Sequence, residues 1–128
     1  MKNNRFLEGV MKEIYQSQGF DSNSCRIEGN TVIYQEKDLM FHEYYLDFNE
    51  KISTGRVIQV DSEHTNRGIG SRLVKAREDF CKKAGMEYII IDHCLNDEFW
   101  KNRGYPLMDE EMQNRLFFLE GTRYKKIR

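Results

Sequence analysis

Apolar residues recur at every third or fourth position in two long segments of the chain. In residues 6–15 they fall on one face of a helix, and Gly19 follows as a typical left-handed helix cap. The same spacing returns in residues 69–84 and stops at Gly85. The pattern therefore predicts two amphipathic helices, each closed by a glycine.

Runs of β-branched and aromatic residues predict the strands. Two short runs flank Gly29 and Asn30, a pair that favours a β-hairpin. A short helix is predicted at residues 97–103, closed by Gly104. Strands are predicted at residues 25–28, 31–35, 39–48, 54–60 and 87–91, with a terminal strand or hairpin formed by residues 116–119 and 122–125 around Gly121. This order of helices and strands indicates a mixed α/β sheet with helices packed on it.

Length and composition narrow the class of protein. The 128 residues amount to one domain, residues 1–128, and the chain has no Ser- or Gly-rich linker. Twenty basic residues against 21 acidic ones give a net charge of -1, which argues against nucleic acid as a partner because binding it requires a basic face. Three widely spaced cysteines favour a reduced, cytoplasmic protein. No apolar run approaches the ~20 residues of a membrane span.

The most informative stretch is the turn between the apolar run at residues 57–60 and the second long helix. It contains Gly68 and Gly70 and almost no bulky side chain. The first turn of a helix has backbone N–H groups without an internal partner, and the helix dipole adds about half a positive charge there. Glycines let a phosphate approach the backbone closely. The stretch therefore predicts a phosphate or pyrophosphate site at residues 66–71.

Two common phosphate-binding loops do not fit this turn. The P-loop requires Lys-Ser or Lys-Thr after its second glycine, and the dinucleotide fingerprint requires a third glycine where Leu73 stands. The segment instead resembles motif A of the GNAT (Gcn5-related N-acetyltransferase) superfamily. The matching residues are Val60, Asp61, Glu63, Arg67, Gly68, Ile69, Gly70, Ser71 and Leu73.

A second stretch, residues 94–105, resembles motif B of the same superfamily, which commonly ends Phe-Tyr-Glu-Lys-x-Gly-Phe/Tyr. Phe99, Gly104 and Tyr105 match, and Lys101 is an offset lysine. Two motifs in the family's order are a stronger signal than either alone. The resemblance implies a GNAT-like, mixed and mostly antiparallel sheet of about six to seven strands, flanked by helices and splayed at the coenzyme A site.

The resemblance also implies roles for individual residues. The amide of Ile58 would polarise the thioester carbonyl of acetyl-CoA, and Val60 would pair with the pantetheine arm. The pyrophosphate would lie on the motif A loop, and motif B would contribute two further contacts. The residues so implied in binding acetyl-CoA are Ile58, Val60, Thr65, Asn66, Arg67, Gly68, Ile69, Gly70, Ser71, Asn96 and Trp100.

Three positions depart from the family pattern. Thr65 stands where the family usually has Arg or Gln, and Thr54 stands where some protein-lysine members carry a glutamate base. Trp100 occupies the position of a tyrosine that often protonates the departing thiolate, and an indole N–H is not an acid at useful pH. Trp100 could instead cover the pantetheine or fill the core.

The attacking amine must lose a proton, so a base is required. Candidates are His93 and Asp92 at the end of a predicted buried strand, and Glu43 and Asp47 on the aromatic strand. Each has a structural alternative: a strand-end His as a polar rim residue, Asp92 as a helix cap, and Glu43 and Asp47 as residues of a solvated sheet face. No metal site is predicted among the histidines and cysteines.

The sequence therefore predicts an acetyl-CoA-dependent N-acetyltransferase that acts on a primary amine by direct attack in a ternary complex. The acceptor is a small-molecule amine or a lysine of a protein partner; no membrane or metal is expected, and a homodimer is left open. The alternative is a catalytically degenerate, CoA-binding or protein-interaction module of the same fold.

Overall fold

The structure is a computed structural model that describes residues 4–36, 40–60, 68–92 and 97–128. For residues 40, 41 and 56–60 it describes the backbone only. Thr65, Asn66, Arg67, His93 and Asn96, to which the sequence assigned roles, lie outside the described residues.

Ten main elements form the described part of the chain. They are α1 (Asn4–Ser17), β1 (Cys25–Glu28), β2 (Thr31–Glu36), β3 (Met40–Asp47), β4 (Ile52–Val60), α2 (Ile69–Lys83), β5 (Tyr88–Ile91), α3 (Asp97–Asn102), α4 (Glu110–Leu116) and β6 (Arg123–Lys126). The two long helices and the first five strands follow the hydrophobic pattern closely. The predicted caps are also present, since Gly19 and Gly85 have φ values of +90° and +92°.

The strands described by the structure form one six-stranded sheet in the order β1-β2-β3-β4-β5-β6. Every neighbouring pair is antiparallel except β4 and β5, which run parallel. A parallel pair requires a crossover, and α2 provides it between β4 and β5. The mixed, mostly antiparallel sheet predicted from the sequence is confirmed.

The C-terminal region differs from the prediction. Residues 116–119 do not form a strand; they end α4 and enter a turn. Asp109 caps this helix, because its carboxylate accepts a hydrogen bond from the Met112 N–H at 2.8 Å. The signal was present in the sequence as an Asp cap before two glutamates, with Met112 and Leu116 four residues apart on an apolar face. Only β6 of the predicted pair is a strand.

The sheet buries side chains on both faces. The larger core lies under α1 and α2 and includes Tyr34 and Tyr44, so these aromatic residues belong to the core rather than to an open pocket. The smaller core joins Ile52 and Ile90 on the other face to Met112 of α4. Alternate residues of each central strand therefore serve different cores.

A buried cation lies between α2 and the sheet. Arg77 is 2% exposed and donates a hydrogen bond to Ser53 Oγ at 3.0 Å. Its guanidinium carbon, Cζ, lies 4.6 Å from the centre of the Tyr44 ring. A Cβ on residue 55 would lie 2.7 Å from Arg77 Cζ, so Gly55 provides the room for the guanidinium group. Beside this group, His42 is 1% exposed, and neither of its ring nitrogens has a hydrogen-bond partner among the described residues.

Candidate functional site

The parallel strands β4 and β5 separate part-way along the sheet. Their last paired residues are Gly55 and Ile91. β4 continues to Val60, and among the described residues its later part pairs with β3 alone. One edge of residues 57–60 is thus left without a neighbouring strand in the described structure, so its backbone groups are available to a ligand.

A β-bulge marks the point of separation. His42 pairs with Ile58 and Glu43 with Val57, but Tyr44 pairs with Gly55, so Arg56 is an extra residue on β4. A bulge changes the direction of a strand and the facing of the residues that follow it. It lies just before Ile58, the residue whose amide the sequence assigned to carbonyl polarisation.

The helix α2 begins beside this strand with a glycine in the left-handed conformation. Gly68 has a φ of +75°, and its carbonyl accepts the first helical hydrogen bond, from Arg72 N at 3.0 Å. The first-turn N–H groups of Ile69, Gly70 and Ser71 precede that bond, and the turn contains no acidic residue. The start of this 15-residue helix therefore favours an anion.

Gly70 has a packing role that the motif alone did not reveal. A Cβ at this position would lie 3.0 Å from Cε1 of Phe99 in α3. The absence of a side chain thus lets α3 pack directly against the first turn of α2. Ile69, by contrast, is buried in the core, so only its backbone is available to a ligand.

Arg103 is a residue of this site that the sequence analysis did not single out. Its Nε donates to Ser71 Oγ at 3.0 Å, its Nη2 also contacts that oxygen, and its guanidinium carbon lies 3.8 Å from the centre of the Phe99 ring. Among the described residues no carboxylate pairs with Arg103. A cation at the positive end of a helix is unfavourable unless an anion lies between them.

Two of the three aromatic residues of motif B, Trp100 and Tyr105, are buried. Trp100 is 8% exposed and packs edge-on against Phe99 and Tyr105. The Tyr105 hydroxyl donates to Glu78 at 2.8 Å, and burial, together with this carboxylate, raises its pKa well above the ordinary value. Neither side chain is therefore suited to give a proton to a leaving thiolate.

The candidate bases have different positions. Asp47 is the last residue of β3, and its carboxylate is engaged in the following turn, where it accepts from the backbone N–H groups of Asn49 and Glu50. Glu43 is half-buried on β3, opposite Val57 and next to the bulge. Asp92 directly follows the last β5 residue and lines an open cleft. Glu43 thus lies on one of the two strands that flank β4, and Asp92 directly follows the other.

The arrangement of a splayed parallel pair, a bulged strand and a glycine-opened helix agrees with the comparison to known families. A model of the acetyltransferase (GNAT) family matches residues 39–105, more than half of the chain. The chain belongs to the acetyltransferase (GNAT) family. The matched range contains β3, β4, α2, β5 and α3, which are the elements that build the site.

Solved structures show the same fold at low sequence identity. An acetyltransferase of the GNAT family from Staphylococcus aureus Mu50 is 16% identical, with a TM-score of 0.63 over 100% of this chain and 98% of that one. Tetrahymena Gcn5 is 14% identical, with a TM-score of 0.62 over 100% and 91%. The PaiA N-acetyltransferase from Thermoplasma acidophilum, solved with coenzyme A, is 18% identical, with a TM-score of 0.56 over 75% and 59%.

A comparison with curated proteins finds no match. Among the described residues, no group of three or more His, Cys, Asp or Glu is arranged to hold a metal ion. The helices in the described ranges include none with the length and apolar character needed to cross a membrane.

Proposed function

We propose that this GNAT-family protein is an acetyl-CoA-dependent N-acetyltransferase that acts on a primary amine. The observation that carries the proposal is the free edge of β4 beyond Gly55, next to the glycine-opened start of α2. A strand edge and a helix start together match the two ends of an acylated coenzyme A. The edge suits the amide-rich pantetheine arm, and the helix start suits the pyrophosphate.

Backbone amides and a few side chains would hold acetyl-CoA, which supplies an activated acetyl group as a thioester. The amides of the turn at residues 65–71 would bind the pyrophosphate, and Arg103 would add a cation. Val60 would align the pantetheine arm. Asn96 and Trp100 of motif B are the remaining proposed contacts, and Trp100 would act through its packing under the site because it is buried.

The chemistry requires two further contributions from the chain. The amide of Ile58 would donate to the thioester oxygen and stabilise the charge that develops there, an effect worth on the order of 3 kcal/mol. The amine nitrogen bonds to the carbonyl carbon while the carbon–sulfur bond breaks and coenzyme A leaves as a thiolate. A proton leaves the amine, and Glu43, Asp92 or His93 would accept it directly or through water.

The acceptor is a small-molecule amine or a lysine of a protein partner. The half-buried Glu43 and the cleft at Asp92 are both compatible with a positively charged acceptor before it loses its proton. A panel of amines with acetyl-CoA, followed by the release of free thiol, tests the proposed reaction directly.

One observation favours the alternative of a CoA-binding module without turnover. Trp100 and Tyr105 are both buried in the packed interior, so neither supplies an acid for the leaving thiolate. Binding of coenzyme A without thiol release toward any amine would support this alternative. Thiol release at a rate above that of the uncatalysed reaction would exclude it.

The phosphate site is tested by the pair Gly68→Asp and Gly68→Asn. Residue 68 has a φ of +75°, and a Cβ there meets no atom of the described residues within 4 Å, so both side chains have room and experience similar backbone strain. We expect Asp to weaken coenzyme A binding at least about tenfold more than Asn does, because only the carboxylate repels the pyrophosphate. Isothermal titration calorimetry measures both affinities, and equal affinities would contradict the site.

A further inference from the structure

An open cleft of about 470 Å³ lies at the end of β5. Its described lining consists of Asp92 and residues 117–122, which connect α4 to β6. The connection is well defined, since the Thr122 hydroxyl donates to the Leu119 carbonyl at 2.8 Å and Thr122 N donates to the same oxygen. The cleft is therefore formed by an ordered turn packed beside a strand end.

The position of the cleft relates it to the splayed strands. Asp92 follows Ile91, which is the last β5 residue paired with β4 and is also paired with Arg123 of β6. The cleft thus begins one residue beyond the point where β4 and β5 separate. Its described lining comes from the end of β5 and from the turn before β6, so an acceptor bound there would reach the acyl donor, proposed to lie along β4, across the end of β5.

The charge of the cleft is negative. Asp92 and Glu120 are its ionisable lining residues among those described, and neither side chain has a hydrogen-bond or ion-pair partner in the described structure. Two other carboxylates that contact β6 are paired: Asp97 with Arg123 and Glu78 with Lys125. Two unpaired carboxylates at one cleft favour a cationic ligand.

The cleft also presents aromatic surface at an energetic cost. Phe117 has a φ of +63° and is 93% exposed, although a bulky residue in the left-handed region is rare. The backbone N–H groups of Phe117 and Phe118 both donate to the Gln113 carbonyl, and Phe118 packs on the core beneath α4. Burial of Phe118 thus leaves the Phe117 ring outside the core, where it lines the cleft with Leu119.

We propose that this cleft binds the acceptor, and that the acceptor is a primary alkylamine carrying an aromatic or other bulky apolar group. The inference rests on the proposed N-acetyltransferase function and identifies its substrate class. The ammonium form binds between Asp92 and Glu120, and the apolar group packs against Phe117 and Leu119. Cation–π attraction to the exposed ring adds to the charge attraction.

A series of ligands with one phenyl ring tests the charge and apolar requirements separately. The series is 2-phenylethylamine, neutral 2-phenylethanol and anionic 3-phenylpropionate, with ethylamine as the amine that lacks the ring. Calorimetry in the presence of coenzyme A measures binding independently of turnover. We expect 2-phenylethylamine to bind at least about tenfold more tightly than each of the other three.

Matched variants locate the binding in the cleft. Phe117→Asn removes the ring while Asn tolerates the left-handed backbone, so we expect unchanged or higher thermal stability but about tenfold weaker 2-phenylethylamine binding. Its control is Phe6→Ala, which removes an exposed ring from α1.

Glu120→Gln tests the charge of the cleft and should weaken 2-phenylethylamine binding about three- to tenfold at low salt. Its control is Glu111→Gln, an exposed carboxylate of α4 outside the cleft lining.

The outcomes separate this proposal from the one on which it rests. If ethylamine is acetylated but 2-phenylethylamine is neither bound nor acetylated better, the cleft assignment is overturned and the enzyme assignment stands. If 2-phenylethylamine binds through Phe117 and Glu120 but no amine is acetylated, the cleft is an amine site and the enzyme assignment fails. Equal losses in the variants and their controls would also overturn the cleft assignment.

Discussion

At the scale of single residues, packing next to the site depends on a large side chain that fills the space left by a glycine. Gly55 leaves the space that the buried guanidinium of Arg77 fills, directly before the bulge at Arg56. Ser53 Oγ and the Tyr44 ring hold that guanidinium from two directions. Arg77 has no carboxylate partner in the described part of the chain, and burying such a cation is costly, so these contacts must be retained together for the packing to be stable.

The Gly55→Ala substitution tests this match. An added Cβ would lie 2.7 Å from Arg77 Cζ, and the buried guanidinium has little room to move. We expect a loss of about 2–3 kcal/mol in the free energy of unfolding, measured by urea denaturation. In an Arg77→Met background the loss should be much smaller, because the flexible thioether can repack. Additive effects of the two substitutions would show that the residues are not coupled.

At the scale of elements, the sheet and the helices each contribute a different part of the site. β3 and β4 carry the bulge, α2 contributes its N-terminal turn, and α3 packs against that turn through Phe99 and Gly70. The short helix α4 supports the connection that forms the cleft. Seven residues are too few for a helix to be stable alone, so α4 depends on its cap and on Met112 in the smaller core.

Asp109→Ala tests the contribution of the cap. The substitution removes the 2.8 Å hydrogen bond from Met112 N, and we expect the free energy of unfolding to fall by about 1 kcal/mol. Asp109→Asn is the matched control, since asparagine caps helices about as well and should change stability by only a few tenths of a kcal/mol. Equal losses for the two variants would mean that the charge, rather than the capping bond, is what α4 requires.

At the scale of the whole molecule, the buried His42 links stability to pH. Burial, and then the nearby Arg77 cation, hold its pKa well below 6.5. Below pH 6.5 the unfolded chain therefore binds a proton that the folded chain does not, so stability is complete above this pH and falls as the solution is acidified. The loss can reach about 1.4 kcal/mol per pH unit until the folded-state pKa is reached.

His42→Phe should remove this contribution. Both ring nitrogens of His42 lack described hydrogen-bond partners, so an apolar ring of similar size should leave stability at pH 7.5 unchanged or higher. Between pH 7 and 5 the variant's free energy of unfolding should fall less steeply than that of the wild type. Parallel curves from denaturant titrations across this range would show that His42 is not the titrating group.

The sequence by itself determined the two long helices, the first five strands, the GNAT family and the glycine turn at the start of α2. These features depend on local periodicity, caps and a short motif, all of which can be read without knowing distant contacts. It missed α4, because a short helix with an apolar face of two residues, Met112 and Leu116, gives a weak periodic signal beside a competing hairpin pattern.

Only the tertiary structure decided which residues meet. It placed Glu43 on β3 and Asp92 directly after β5, bonded the Asp47 carboxylate to the turn after β3, and buried Trp100 and Tyr105. It also brought Arg103 to Ser71 and Arg77 to Gly55, and placed Phe117 and Asp92 around one cleft at the end of the sheet. These partners are far apart in the chain, and sheet register, the bulge and helix packing determine their contact.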